Sequence, residues 1–144
     1  MAALGQALAR AAAGHGQVVA LVGEAGVGKS RLVYECVHSH RTQGWLVLES
    51  ASVSYGKATP YFPVLDLLRR YARVDERDDT RTICAKVTGQ LLTLDETLQD
   101  AIPPLLALLD ALPDDSPFLR LDPPQRRQRT LAALKRVLLR ESQV

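Results

Sequence analysis

Gly23-Glu24-Ala25-Gly26-Val27-Gly28-Lys29-Ser30 is the stretch on which the rest of the chain is read. It matches G-x-x-x-x-G-K-[ST] at every specified position, the pattern of a loop that cradles phosphates. The residue types follow from that task. Gly23, Gly26 and Gly28 allow backbone conformations that a side chain would forbid. Consecutive N–H groups then turn inward as an anion nest at the start of a helix, where the partial positive charge of the helix end adds to them. Lys29 is expected to reach the β- and γ-phosphates and is the candidate catalytic residue. Ser30 is expected to ligate Mg²⁺ through its hydroxyl. The nucleotide-contacting set is Gly23, Glu24, Ala25, Gly26, Val27, Gly28, Lys29, Ser30 and Arg31, with Glu24, Ala25 and Val27 as loop fillers. The expected ligand is a nucleoside triphosphate, ATP, with Mg²⁺.

Context separates this loop from an idle glycine turn. Upstream, Gln17 to Val22 is a short run rich in valine between glycines, which predicts a buried strand of a parallel sheet. Ala2 to Ala13, rich in Ala, Leu and Gln, predicts a helix that Gly14-His15-Gly16 ends. Downstream, Lys29 to about Gln43 predicts a helix with Leu32, Val33, Cys36 and Val37 as its apolar stripe and Gly44 as its stop. Trp45 to Glu49 predicts a second strand. The expected fold class is α/β, a P-loop NTPase parallel sheet followed by a mostly helical segment.

Beyond Ser50 the pattern turns helical. Ala51 to Pro60 reads as a polar loop, and Pro63 to Tyr71 as a helix. Asp75 to Asp79 is a charged break, and Thr80 to Leu92 a further helix. Leu94 to Ile102 and Pro104 to Leu112 read as two short helices split at Pro103-Pro104. The final helix has Asp122 as N-cap and Pro123 at its first position, with Leu131, Leu134, Val137 and Leu138 on one face. Residues 1–144 are taken as one partial ATPase domain, with 1–50 the nucleotide-binding core and 51–144 the helical segment.

Hydrolysis needs an acid beside Mg²⁺. Two places come into question. Leu105 to Leu109 followed by Asp110 has the text pattern of an acidic strand end but reads better as helix. Glu49 ends a strand candidate, yet that strand directly follows the P-loop helix. Arg126, Arg127, Arg129, Lys135, Arg136 and Arg140 make the last helix basic. A solvated face explains them better than a nucleic-acid surface, since no aromatic is interleaved for stacking. His38 and His40 are two apart and share no helical face, so a metal is not expected there. Tyr55, Tyr61 and Phe62 suit either a border for a ligand or a core plug.

Composition is that of an ordinary globular chain: 144 residues, 47% apolar, 24% charged and a formal net charge of +2. That charge is too small to argue for a nucleic-acid partner. Aromatics are only 5%, so Leu, Val and Ala must build the core. Cys36 and Cys84 lack metal-ligand spacing and read as buried thiols in a reducing compartment. No run approaches the roughly 20 apolar residues that span a bilayer. A cytoplasmic protein is expected, without a membrane partner.

The run Gly16 to Leu32, with Glu35 soon after, resembles the ATPase domain of bacterial STAND-type, AAA-like regulators. Tyr55, Gly56, Pro60-Tyr61, Pro63 and Leu67-Leu68-Arg69 are similar to theirs too, as is the Leu-rich, Pro-broken stretch leading to the Arg-rich helix. Such domains occur beside class III adenylate/guanylate cyclase domains or LuxR-type helix-turn-helix domains. The resemblance implies an ATP-binding module that switches an effector domain in the same parent chain, with self-association as a further expectation. Cys36 stands where such proteins often carry an aromatic residue. A Gly-Arg-Glu/Asp-type segment near the adenine and an acidic strand after the Arg-rich helix belong to that pattern and are not found here. The resemblance therefore implies a fragment cut at both ends, weakly stable alone and feeble or inactive in catalysis. A small-molecule kinase and a non-catalytic scaffold that keeps the P-loop are the rival readings. Phosphoryl transfer to an acceptor would mark the first, and failure to bind nucleotide the second.

Overall fold

Alanine, leucine and glutamine enter a helix with little loss of side-chain freedom, and Ala2–Ala12 forms α1. Gly14, at φ 85°, ends it. The amides of Ala13, Gly14 and His15 turn back onto the carbonyls of Ala9, Ala11 and Arg10. The computed structural model describes residues 2–51 and 60–144. The expectations for the loop from Ala51 to Pro60, including Tyr55 and Gly56, lie largely outside the described residues.

Two compact units divide the chain, Met1–Val47 and Leu48–Val144. In the first, α2 spans Lys29–Val37, shorter than the expected run to Gln43. The cause is local. The Ser39 hydroxyl donates to the Cys36 carbonyl at 2.8 Å, and that of Thr42 donates to the Val37 carbonyl at 2.6 Å. Hydroxyls that take helix carbonyls in this way compete with the next turn. A short 3₁₀ turn, His40–Thr42, follows, and Gly44 at φ 82° stops it.

The expected parallel sheet is corrected by the structure. The described residues are 62% helical and contain no strand. Gln17 to Val22 and Trp45 to Glu49 have no ladder partner among the described residues. A strand exists only when a neighbour accepts and donates its backbone bonds. A run of valines selects extended backbone but supplies no partner. Val18 and Val22 stand 101% and 95% exposed. The second run is itself divided at the unit boundary, because Leu48 packs against the helical core that follows.

That core belongs to the second unit and is built by α3 (Phe62–Tyr71), α4 (Thr80–Leu94), α5 (Ile102–Leu108) and α6 (Pro123–Glu141). Local chemistry starts two of them, the second at the residue expected. Asp79 accepts from the Thr82 amide and Asp122 from the Gln125 amide, each at 2.8 Å. The break near the paired prolines differs from expectation. A 3₁₀ turn, Glu96–Ala101, runs straight into α5, and Pro103 and Pro104 occupy its first turn, where their missing N–H groups cost nothing. A second 3₁₀ turn, Pro117–Arg120, buries Phe118. Val87, Leu91 and Leu105 are wholly enclosed. On α6 the buried line is Ala133 and Val137, with Leu134 partly covered, whereas Leu131 and Leu138 are about half exposed.

Two arginines fasten α6. The Nη1 of Arg136 donates to both oxygens of Asp100 at 2.7 Å, and its Nη2 to the Thr97 carbonyl. One turn on, Arg140 Nε donates to Asp95 at 2.7 Å. Asp95 also accepts from the Thr97 amide and hydroxyl at 2.9 and 2.8 Å. At the far end of α6, Tyr71 donates to Glu141. Burial first, and then that bond, holds the phenol above its usual range.

Replacing Leu105 by Ala is expected to cost about 2–5 kcal/mol, read from urea midpoints, because the side chain is wholly enclosed. The Asp95 carboxyl lies below its usual range, held there first by the Thr97 amide, then the Thr97 hydroxyl, then Arg140. A carboxyl lowered in the folded state adds stability above its unfolded value, about 3.9. That stability disappears as pH falls through the folded value. Urea midpoints should therefore drop below about pH 4, and Asp95→Asn should flatten that drop while lowering the midpoint at pH 7. An acid slope unchanged in the variant would count against the role of Asp95.

Candidate nucleotide-binding site

The eight residues from Gly23 to Ser30 form a turn that runs directly into α2, and the glycines serve two different ends. Gly26 and Gly28 sit at φ 83° and 90°, a region that costs other residues about 1–2 kcal/mol. A side chain at either would meet open space, so only the backbone demands glycine there. Gly23 has the opposite reason. A Cβ on it would lie 3.1 Å from Val27 Cγ2, so close packing demands it.

Gly28 immediately precedes α2, and its carbonyl accepts the first helical bond, from Leu32 N at 3.0 Å. No side chain caps the helix, and no acid lies in its first turn. This start differs from those of α4 and α6, where aspartates occupy the same position. The first amides of α2 are thus left to whatever anion approaches, together with the positive end of the helix dipole.

Lys29 folds back across the turn. Its Nζ donates to the Gly23 carbonyl at 2.7 Å and the Glu24 carbonyl at 2.6 Å. Two of the three ammonium protons are so engaged, and one remains for an anionic oxygen. The carbonyls fix the charge beside the uncapped amides. Ser30 is exposed on the first turn of α2, placed to offer its hydroxyl to a cation. Arg31 is turned elsewhere: its Nε pairs with Glu35 at 2.9 Å on the open surface, a pair of small energetic weight. An open hollow of about 570 Å³ adjoins the turn, walled by Val22, Val27 and Leu32 as well as Lys29 and Arg31.

The other sequence candidates do not gather here. Leu105 to Leu108 lies in α5, and Asp110 follows in a left-handed turn at φ 55°, so that run is no acidic strand end. Glu49 is exposed and lies in no strand. His38 stacks on Tyr34, ring centres 4.0 Å apart, and its Nδ1 lies 2.9 Å from the Tyr34 carbonyl. No group of three or more His, Cys, Asp or Glu among the described residues could hold a metal. Sequence reasoning missed the Arg31–Glu35 pair, although its four-residue spacing on a helix could have revealed it. It missed the anchoring of Lys29 on two carbonyls, which no sequence pattern encodes.

A glycine turn with two left-handed residues, a lysine held over it and an uncapped helix start are the features that a phosphate-binding loop requires. The chain belongs to the AAA ATPase domain family, whose model matches residues 1–143. It is therefore a nucleotide-binding ATPase module. No curated protein and no solved structure matches it. No helix among the described residues is long and apolar enough to cross a membrane.

The two reasons for glycine separate experimentally. Gly23→Ala should weaken MgADP binding, and adding Val27→Ala should restore it, since the added Cβ meets chiefly Val27 Cγ2. Gly28→Ala should weaken binding as well, without rescue by Val27→Ala. Calorimetric titration of the four variants decides. Rescue of both glycine variants alike would refute the distinction.

Proposed function

We propose that this chain binds ATP·Mg²⁺ on the turn Gly23–Ser30 and serves as the nucleotide-sensing module of a regulatory ATPase that switches an attached effector. The anchored ammonium of Lys29 beside an uncapped helix start carries the proposal. Lys29 would meet the β- and γ-phosphates, and the first amides of α2 would take the remaining phosphate oxygens. Ser30 would hold Mg²⁺. Glu24, Ala25 and Val27 would contribute their backbone, and Arg31 would border the site rather than contact phosphate. The regulatory part rests on the likeness to STAND-type domains, through the run from Gly23 to Leu32 and Pro60-Tyr61 with Pro63.

Binding should outrun turnover. The unit that carries the turn, residues 2–47, has two acids, Glu24 and Glu35. Glu35 is paired with Arg31, and Glu24 lies within the turn. The Mg²⁺-side acid must then come from elsewhere, and with neither Glu49 nor Asp110 at a strand end, feeble ATP hydrolysis by residues 1–144 is expected.

A charge-assisted bond is worth about 1.5–3 kcal/mol, so Lys29→Ala should weaken ATP binding by roughly tenfold or more. Ser30→Ala should abolish the gain in affinity that Mg²⁺ confers while sparing metal-free ATP. Equilibrium titration with a fluorescent ATP analogue, with Mg²⁺ or with EDTA, reads both. Failure of the unaltered chain to bind would favour a scaffold without nucleotide. Steady phosphate release abolished by Lys29→Ala would overturn the expectation of feeble turnover.

A further inference from the structure

One stripe of α6 has no part in the phosphate site. Arg126, Arg127, Thr130, Leu131 and Leu134 follow one another at steps that place helical side chains on one face. They wall a hollow of about 300 Å³ in the second unit, closed elsewhere by Val64, Leu108 and Phe118. Its polarity runs in one direction along α6, with arginines at the N-terminal end and leucines toward the other. No acidic side chain among the described residues lines it.

The arginine end is unsatisfied. The Nε of Arg126 is shut off from solvent and has no hydrogen-bond partner among the described residues. Farther along the same helix, Arg136 and Arg140 meet Asp100 and Asp95. The Arg126 carbonyl is already taken by the Thr130 hydroxyl at 2.8 Å, so the local backbone is served and the Nε is not. Tyr61, half exposed beside the hollow, holds φ 60°, a strained conformation of the kind that gathers at binding sites. Leu131 shows half its surface to solvent at the same place.

We propose that this hollow binds an amphipathic monoanion, an apolar chain or ring bearing one carboxylate or phosphate. The head would meet the Arg126 fork, with Arg127 beside it. The tail would lie among Leu108, Phe118, Leu131 and Leu134. A hollow of about 300 Å³ lies at the small end of ligand sites, which suits a short amphiphile of about eight carbons. The mostly apolar wall with a few convergent polar groups is the usual make-up of a small-molecule site.

Chain 1–144, labelled with ¹⁵N, would be titrated with octanoate, octyl phosphate, octanol and acetate. At least one octyl anion is expected to bind about tenfold tighter than octanol, the worth of one charge-assisted bond, and to shift the Thr130 and Leu131 amides. Acetate should not bind measurably. The tighter of the two octyl anions names the head group. Arg126→Gln should remove the advantage over octanol and leave octanol itself unchanged, whereas Arg126→Lys should keep part of it. Lys29→Ala should have no effect. Equal binding of octanol and the anions, an unchanged affinity in Arg126→Gln, loss of octanoate binding in Lys29→Ala, or binding of an acidic amphipathic peptide but of no octyl anion would each overturn the proposal.

Discussion

Backbone hydrogen bonding is the constraint on which the structure turns. A helix closes its N–H to C=O bonds within its own sequence, whereas a strand must find them on a neighbour. Each unit follows from that asymmetry. Helices α3 to α6 carry their own bonds, so their only remaining task is to bury apolar faces. They do so around Val87, Leu91 and Leu105. In the other unit the bonds of α1 and α2 are complete, but those of residues 17 to 22 have no neighbour among the described residues. Val18 and Val22 then stay in solvent, because an unpartnered extended run has no second layer to lie against.

The phosphate-binding turn survives this incompleteness because it is local. Its glycine conformations, the uncapped start of α2 and the hold of Lys29 on Gly23 and Glu24 are all set within eight consecutive residues. Nothing in that geometry waits for a sheet. Locality also explains why this part of the sequence was the most legible. The residue types at 23, 26, 28, 29 and 30 state the backbone conformation and the charge at once. The sequence does not show the direction in which Arg31 leaves the helix, because either an anion or Glu35 could claim it, and Glu35 lies one turn away.

Elsewhere, legibility followed the same division between local and distant causes. The cap at Asp122 and the stop at Gly14 are written in single residues and stand where expected. The early end of α2 depends on which carbonyls the hydroxyls of Ser39 and Thr42 take, a competition that composition does not rank. The valine-rich strands were misread because β-branched residues fit a pleated surface only where one exists. Leu48 shows the alternative: offered a helical core, it joins that core and leaves the would-be strand. Leu131 and Leu138, expected on the buried face of α6, lie half exposed because Ala133 and Val137 fit the close approach instead.

The arginines of α6 show how far one residue type can diverge along one helix. Arg136 and Arg140 find Asp100 and Asp95 at 2.7 Å and fasten the helix to the Glu96–Ala101 turn. Their positive charge is matched at the contact. Arg126 and Arg127 lie nearer the start of the helix, beside a hollow that they share with Leu108 and Phe118 and that no acid among the described residues lines. Positive charge near the start of a helix is not favoured by its dipole, so the dipole gives no reason for arginine there. Nor does core packing, which Ala133 and Val137 supply from another stripe. What remains is a cation with an unpaired nitrogen beside an apolar hollow, an arrangement whose shape and charge are both complemented by a ligand with an anionic head and an oily tail.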